Sequence, residues 1–182
     1  EIGKWLVSAS LDCSVRVWDG NRVCLAKHTK HTHSVTCIAV SEVNSCLVFT
    51  LDEGGMVIAW RMPDQEMMSG SDVLLNAGHF HHLDCSQFNV KSKVSVIQCH
   101  PLHDEEIIIG FQTGVILLVN WLSGELIRRY LGHVDAICTL SFCPKYVGPL
   151  EMRDEAPLLM VSGGKDKDVK IWNLHSGRAI HT

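Results

Sequence analysis

The 182-residue chain has no apolar run of membrane-spanning length. Its uncharged apolar runs, such as Ile107 to Ile109 and Val115 to Val119, fall far short of the roughly 20 residues a spanning helix needs. It has no excess of one charge either. Sixteen Lys and Arg stand against 20 Asp and Glu, giving a formal net charge of −4 and a pI near 6.3. That excludes a bulk polycation, so any affinity for nucleic acid has to come from a local patch. Aromatic residues are 7% and charged residues 20%, with 46% apolar residues to build a core, which is a globular composition. The eight Cys include no Cys-x-x-Cys pair, which argues against a structural zinc. Cys37, Cys46, Cys99 and Cys138 lie in apolar strand patterns, where Cys acts as a small hydrophobe, and a reduced intracellular chain is the simplest expectation. Also missing are Gly-x-Ser-x-Gly, Gly-x-x-x-x-Gly-Lys and His-Glu-x-x-His. No catalytic residues, no metal site and no cofactor are therefore expected, and Glu105-Glu106 reads as a solvated turn. The chain starts at Glu1, and Ile2 to Val7 reads as a strand rather than a signal peptide, so a piece cut from inside a larger domain is expected.

What is present is an internal repeat. Ser8-Ala9-Ser10-Leu11-Asp12-Cys13-Ser14-Val15-Arg16-Val17-Trp18 matches Ser162-Gly163-Gly164-Lys165-Asp166-Lys167-Asp168-Val169-Lys170-Ile171-Trp172, with an Asp six residues before each Trp. A looser copy runs from Phe49 to Trp60, its Asp52 two residues off that spacing. A fourth runs from Ile109 to Asn120 with Val119 in the Trp place. The spacing between copies varies from 42 to 59 residues (60 − 18 and 119 − 60), so some units carry insertions. Short Val- and Ile-rich strands broken by Gly, Asp and Pro predict an all-β chain of four-stranded units. Gly54-Gly55 and Gly163-Gly164 belong to tight β-turns rather than phosphate loops.

Together with Gly132-His133 before the strand Ile137 to Phe142, and Lys30-His31 before Val35 to Val40, these copies resemble the WD40-repeat family. The resemblance implies a β-propeller, with about four blades of an incomplete seven-bladed ring. Its units would be 1–30 (a partial blade), 31–90 with an inserted loop at 63–85, 91–132 (degenerate), and 133–182 with an inserted loop at 145–157. It also implies a hydrogen-bonded tetrad in each complete blade. His133, Ser162, Asp166 and Trp172 would form one, His31, Thr50, Asp52 and Trp60 another, and Asp12 and Trp18 part of a third. A buried Asp needs fixed donors, and a His ring and a hydroxyl supply them. The Val119 unit lacks both His and Trp and should be held by apolar packing.

Within the family, several motifs resemble the RNA-binding WD40 subunits of SMN-type complexes. They are His28-x-x-His31-x-His33, Asp52-Glu53-x-Gly55, Ile109-Gly110-Phe111-x-x-Gly114, and Gly124-Glu125 running to Gly132-His133. That resemblance implies recognition of the Sm site of small nuclear RNA, with the cap as a second element, in spliceosomal snRNP assembly and mRNA processing. SMN-complex proteins would be partners, in cytoplasm and nucleus (nuclear gems), with no membrane and no small-molecule substrate. The family's base-reading acid aligns with Ala136, and Asp135 stands one position earlier.

Single-stranded RNA is read by aromatic stacking, base-edge hydrogen bonds and a basic rail. The loops that would form one face carry Lys30, Lys91, Lys93, Lys165 and Lys167. Once Asp12, Asp52 and Asp166 are assigned to tetrads, Glu53, Asp135 and Asp168 remain against them. His33, Lys93, Phe111, Gln112, Asp135 and Lys165 are the RNA-contact candidates, although Phe111 at a strand end is more ordinarily a core residue. His79, His81, His82 and Cys85 form a metal-like cluster that reads as a His-rich loop. The alternative function is a protein-interaction scaffold without RNA activity, because propellers of this kind also bind peptides.

Overall fold

The computed structural model describes residues 5–41, 43, 47–61, 81–142 and 158–182. Among the described residues, fifteen strands form four antiparallel sheets. The first is three-stranded, β1 (Leu6–Ala9), β2 (Val15–Trp18) and β3 (Cys24–His28). The second runs β4 (Val35–Val40), β5 (Leu47–Asp52), β6 (Met56–Arg61) and β7 (His81–Asp84). The third runs β8 (Val94–Cys99), β9 (Glu106–Phe111), β10 (Ile116–Asn120) and β11 (Leu126–Tyr130). The fourth runs β12 (Ile137–Phe142), β13 (Leu159–Gly164), β14 (Val169–Asn173) and β15 (Ala179–His181). Each is a meander in chain order; the first strands of the last three neighbour one another, β4 by β8 and β8 by β12, and β1, which matches the second strand of the other blades, lies beside β4. The four sheets are thus successive blades of a partial β-propeller. One single-turn 3-10 helix, Cys85–Phe88, follows β7.

The cores lie between blades. Val15, Val17, Val48, Ile58 and Trp60 fill the space between the first two blades. The period of two along a strand divides the apolar run of β9 and β10 between two further cores. Ile107, Ile109, Leu117 and Val119 face the second blade, whereas Ile108, Ile116 and Leu118 face the fourth. That double burial is why these strands read as continuous apolar runs rather than alternating ones. Each such side chain contributes roughly 1.5–3 kcal/mol by leaving water.

One expectation about insertions changes at its edge. β7 begins at His81, inside the stretch expected as a loop at 63–85, so the blade closes earlier than the sequence suggested. Its His-His-Leu-Asp sequence buries only Leu83, which hides the strand from any apolar pattern. The remaining residues of that loop, and 145–157, lie outside the described residues. Among the described residues no helix is long and apolar enough to cross a membrane.

Candidate ligand-binding face

All four hairpins between second and third strands have one length. Ser8 pairs with Arg16, Thr50 with Ile58, Ile109 with Leu117 and Ser162 with Lys170. Their centres therefore fall on Asp12, Gly54, Thr113 and Asp166. The next residue has a left-handed backbone in every case, at Cys13, Gly55, Gly114 and Lys167. This common frame allows side chains to be compared blade by blade.

In the fourth blade the frame holds a closed relay. His133 Nδ1 lies 2.8 Å from Asp166 Oδ2, His133 Nε2 is 2.7 Å from Ser162 Oγ, and Trp172 Nε1 donates to Ser162 Oγ at 2.7 Å. A carboxylate only accepts, so Nδ1 carries the proton and Nε2 accepts from the Ser162 hydroxyl. Burial pushes the Asp166 carboxyl upward, but the Val134 N–H, the His133 ring and the Asp168 N–H outweigh it and hold it below its ordinary value. A Cβ on Gly164 would collide with Asp166 Oδ1 and sit 2.7 Å from His133 Nδ1, so the strand end must be bare for the ring to reach the carboxylate.

The second blade reaches a similar contact by exchanging two positions. Its carboxylate, Asp52, stands two residues before the hairpin centre, where the fourth blade has Gly164. Its glycine, Gly54, stands at the centre, where the fourth blade has Asp166. His31 Nδ1 is 3.0 Å from Asp52 Oδ2 and His31 Nε2 is 2.8 Å from Thr50 Oγ1, while Asp52 Oδ1 accepts the Met56 N–H at 3.1 Å. Trp60 occupies the same register position as Trp172, but among the described residues no Trp60 bond to Thr50 is formed. Its ring lies 5.2 Å from that of His28 and lines a cavity of about 10 Å³ with Thr50 and His31. The expected four-membered network is here a three-membered one.

The third blade replaces every polar member. Val90 stands in the His place, four residues before the first strand, with Ile109 in the hydroxyl place, Phe111 at the position of Asp52, and Val119 in the Trp place. Ile109, Phe111 and Val119 are fully buried in one cluster, against which Val90 packs. In the first blade Trp18 Nε1 donates to Ser8 Oγ at 2.8 Å, and Asp12 accepts from the Ser14 N–H, the Ser14 hydroxyl and Arg16. The Ser14 hydroxyl above all holds the Asp12 carboxyl well below its usual range. Ser8 had escaped the sequence reading, although it precedes Asp12 by four residues as Ser162 precedes Asp166.

The hairpin tips and the loops entering the first strands meet on one face. Glu53 N–H donates to the Ser34 carbonyl, Gln112 N–H to Lys93, and Lys165 N–H to Ala136, at 2.8–2.9 Å. Between blades, Val35 N–H reaches the Ser10 carbonyl, and Gly114 packs on the 133–135 backbone so closely that a Cβ would lie 2.5 Å from the His133 carbonyl. The structure thus brings together His33, Lys93, Gln112, Asp135 and Lys165 on this face, all exposed. Phe111 is not among them. At 1% exposure, its ring has no free side for a base, so the contact expected of it is corrected to a core role. Asp135 accepts its neighbour's Ala136 N–H at 2.7 Å, and Ala136 itself is buried. The Asp168 carboxylate is 2.9 Å from Lys170 Nζ and Asp12 is 2.8 Å from Arg16, which removes two acids from the count. Exposed beside these pairs are Lys30, Lys91, Lys93, Lys165 and Lys167 against Glu53 and Asp135.

Elsewhere, His79 lies outside the described residues and His81 packs edge-on to Trp121. Among the described residues no three His, Cys, Asp or Glu converge to hold a metal.

Blades of this register, two of them pinned by His–Asp–hydroxyl networks, resemble those of WD40-repeat propellers. The WD domain, G-beta repeat family model matches residues 2–19 and 124–173. The chain is similar to Gem-associated protein 5 of Mus musculus, 24% identical over 196 residues, covering 95% of this chain and 12% of the relative. Gem-associated protein 5 of Homo sapiens is 22% identical over the same coverage. The WD repeat-containing protein 55 homolog of Dictyostelium discoideum is 22% identical over 76% of this chain and 40% of the relative. The chain thus spans about an eighth of the length of the first two relatives.

Proposed function

We propose that this chain is part of an RNA-binding WD40 subunit of an SMN-type complex. Its ligand is single-stranded RNA bearing the Sm site of small nuclear RNA, held on the face formed by hairpin tips and first-strand loops. The activity is binding, not catalysis. The carrying observation is the charge on that face, where five exposed lysines stand over the exposed acids Glu53 and Asp135, with Asp12 paired to Arg16, in a chain that is acidic overall. Tetrads and local ion pairs consume the other acids, leaving a cationic surface suited to phosphate. The likeness to Gem-associated protein 5 over 95% of the chain supports the same reading. It carries with it SMN-complex partners and a cytoplasmic and nuclear location. The test is filter binding of the full-length protein to uridine-rich Sm-site RNA and to a scrambled RNA of equal length. Preference for the first is expected, and equal or no binding overturns the reading.

A second reading, a protein-interaction scaffold without RNA activity, is favoured by one observation. With Phe111 buried, no exposed Phe, Tyr or Trp ring stands on this face among the described residues. Such rings are the usual stacking platforms for bases.

A further inference from the structure

The exchange of Asp52 and Gly54 has an effect on the face itself. In the fourth blade the hairpin centre is Asp166, whose Oδ2 accepts the Val134 N–H at 3.0 Å and so ties down the loop entering β12. In the second blade the centre is Gly54, and no side chain fills that space. The His33 ring does. A Cβ built on Gly54 would stand 2.7 Å from His33 Nδ1, and 3.1 Å from both its Cε1 and Asp52 Oδ1. The ring therefore rests directly on the hairpin tip, at the position Asp135 occupies in the fourth blade. Thr32 Oγ1 is 3.1 Å from His33 Nδ1. Assigned with the hydroxyl as donor, that bond leaves the Nε2–H as an outward hydrogen-bond donor on an exposed residue.

The geometry points to His33 as a pre-positioned RNA contact, offering its Nε2–H to an oxygen acceptor of the bound strand, with Gly54 as its positioning residue. The inference rests on the RNA-binding reading above. Moving the carboxylate two residues back keeps the His31 contact and clears the hairpin tip for a second imidazole. A loop side chain held in this way loses less rotamer freedom on binding than a free one. The acceptor is either a phosphate oxygen or a base carbonyl, two sources of the same chemistry.

Gly54 offers a selective probe. Its backbone is outside the left-handed region, and the nearest obstacle to a Cβ is a side chain at the surface. Gly54→Ala is therefore expected to displace the His33 ring, its closest contact, while Asp52 Oδ1 at 3.1 Å gives by a few tenths of an ångström and the blade stays folded. The experiment measures binding of uridine-rich single-stranded RNA by fluorescence polarisation to the full-length protein, wild type, Gly54→Ala, His33→Ala and the double variant. Each single change is expected to weaken binding roughly 3- to 10-fold, the worth of one hydrogen bond, and the double variant to lose no more than either. Methylphosphonate linkages in the RNA that abolish the His33 effect assign a phosphate acceptor, and persistence of the effect assigns a base carbonyl. Nitrogen-15 chemical shifts of His33 give a second readout, with an unprotonated Nδ1 in the wild type that changes in Gly54→Ala. Wild-type affinity in both single variants, or additive losses in the double, overturns the assignment while leaving RNA binding intact. Absence of RNA binding by the wild type overturns both. A melting temperature for Gly54→Ala far below wild type overturns the view that only the ring moves.

Discussion

Trp172 Nε1 donates to Ser162 Oγ at 2.7 Å, and this bond orients the network behind it. The Ser162 oxygen, occupied as an acceptor, turns its proton to His133 Nε2, and the ring turns its own proton to Asp166. Ser162→Ala leaves two buried groups without partners at once, the indole N–H and the imidazole Nε2. A loss of about 1–3 kcal/mol follows for such orphaned groups. Thermal unfolding of the variant reads it, and a melting temperature equal to wild type refutes the relay. Ser162→Thr keeps the hydroxyl, as Thr50 does in the second blade, and should recover most of the loss.

Gly114→Ala is expected to be destabilising for two independent reasons. Its φ of +82° is a conformation that L side chains rarely adopt, and its Cβ would stand 2.5 Å from the His133 carbonyl. Backbone strain alone is of order 1–3 kcal/mol. Lys167 has φ +71° at the equivalent position but an exposed side chain, so Lys167→Gly should raise the melting temperature. Denaturant midpoints that move together in one direction for the two variants would contradict this.

Acid sensitivity should trace to His100. Its Nδ1 accepts the N–H groups of Leu102 and His103 at 3.2 and 3.1 Å, so the neutral ring holds the turn before β9. Burial, helped by the nearby His103, pushes its pKa down to about 4. A lowered folded value means that the unfolded chain takes up the proton first. The stabilising contribution is complete above the ordinary value near 6.5 and is lost as pH falls towards 4. His100→Asn puts a non-titrating acceptor close to the same two N–H groups. It should flatten the pH dependence of stability between those values, and an unchanged profile sinks the assignment.

The polar networks were legible because a His, an Asp and a Trp at set spacings mark one another as hydrogen-bond partners. Even the irregular spacing of Asp52 was visible, though not that Gly54 had taken the vacated place. Val90, Ile109, Phe111 and Val119 were harder, because apolar substitutes leave no chemical mark. Phe111 shows the limit most clearly. At a strand end next to a polar turn, core and ligand-facing positions read alike, and only the hairpin register puts it at the buried position of Asp52. Ser8 could have been found from its distance to Asp12. β7 could not, since three of its four side chains face outward or sideways and are polar.

The lysines make the RNA reading quantitative. Each phosphate neutralised on a single strand releases condensed counterions, so log K should fall with log salt by about 0.7 per contact. Lys93 and Lys165 extend from neighbouring blades, and the backbone bonds from Gln112 to Lys93 and from Lys165 to Ala136 fix both at the face. Both are exposed, so Lys93→Ala and Lys165→Ala should leave the melting temperature unchanged. Each should reduce the salt slope by about 0.7, and the pair by about 1.4, for all RNA sequences alike. A change of sequence preference with an unchanged slope would mean that these lysines touch bases rather than phosphates. No change in either would leave the cationic face without a part in RNA binding and favour the protein-scaffold reading.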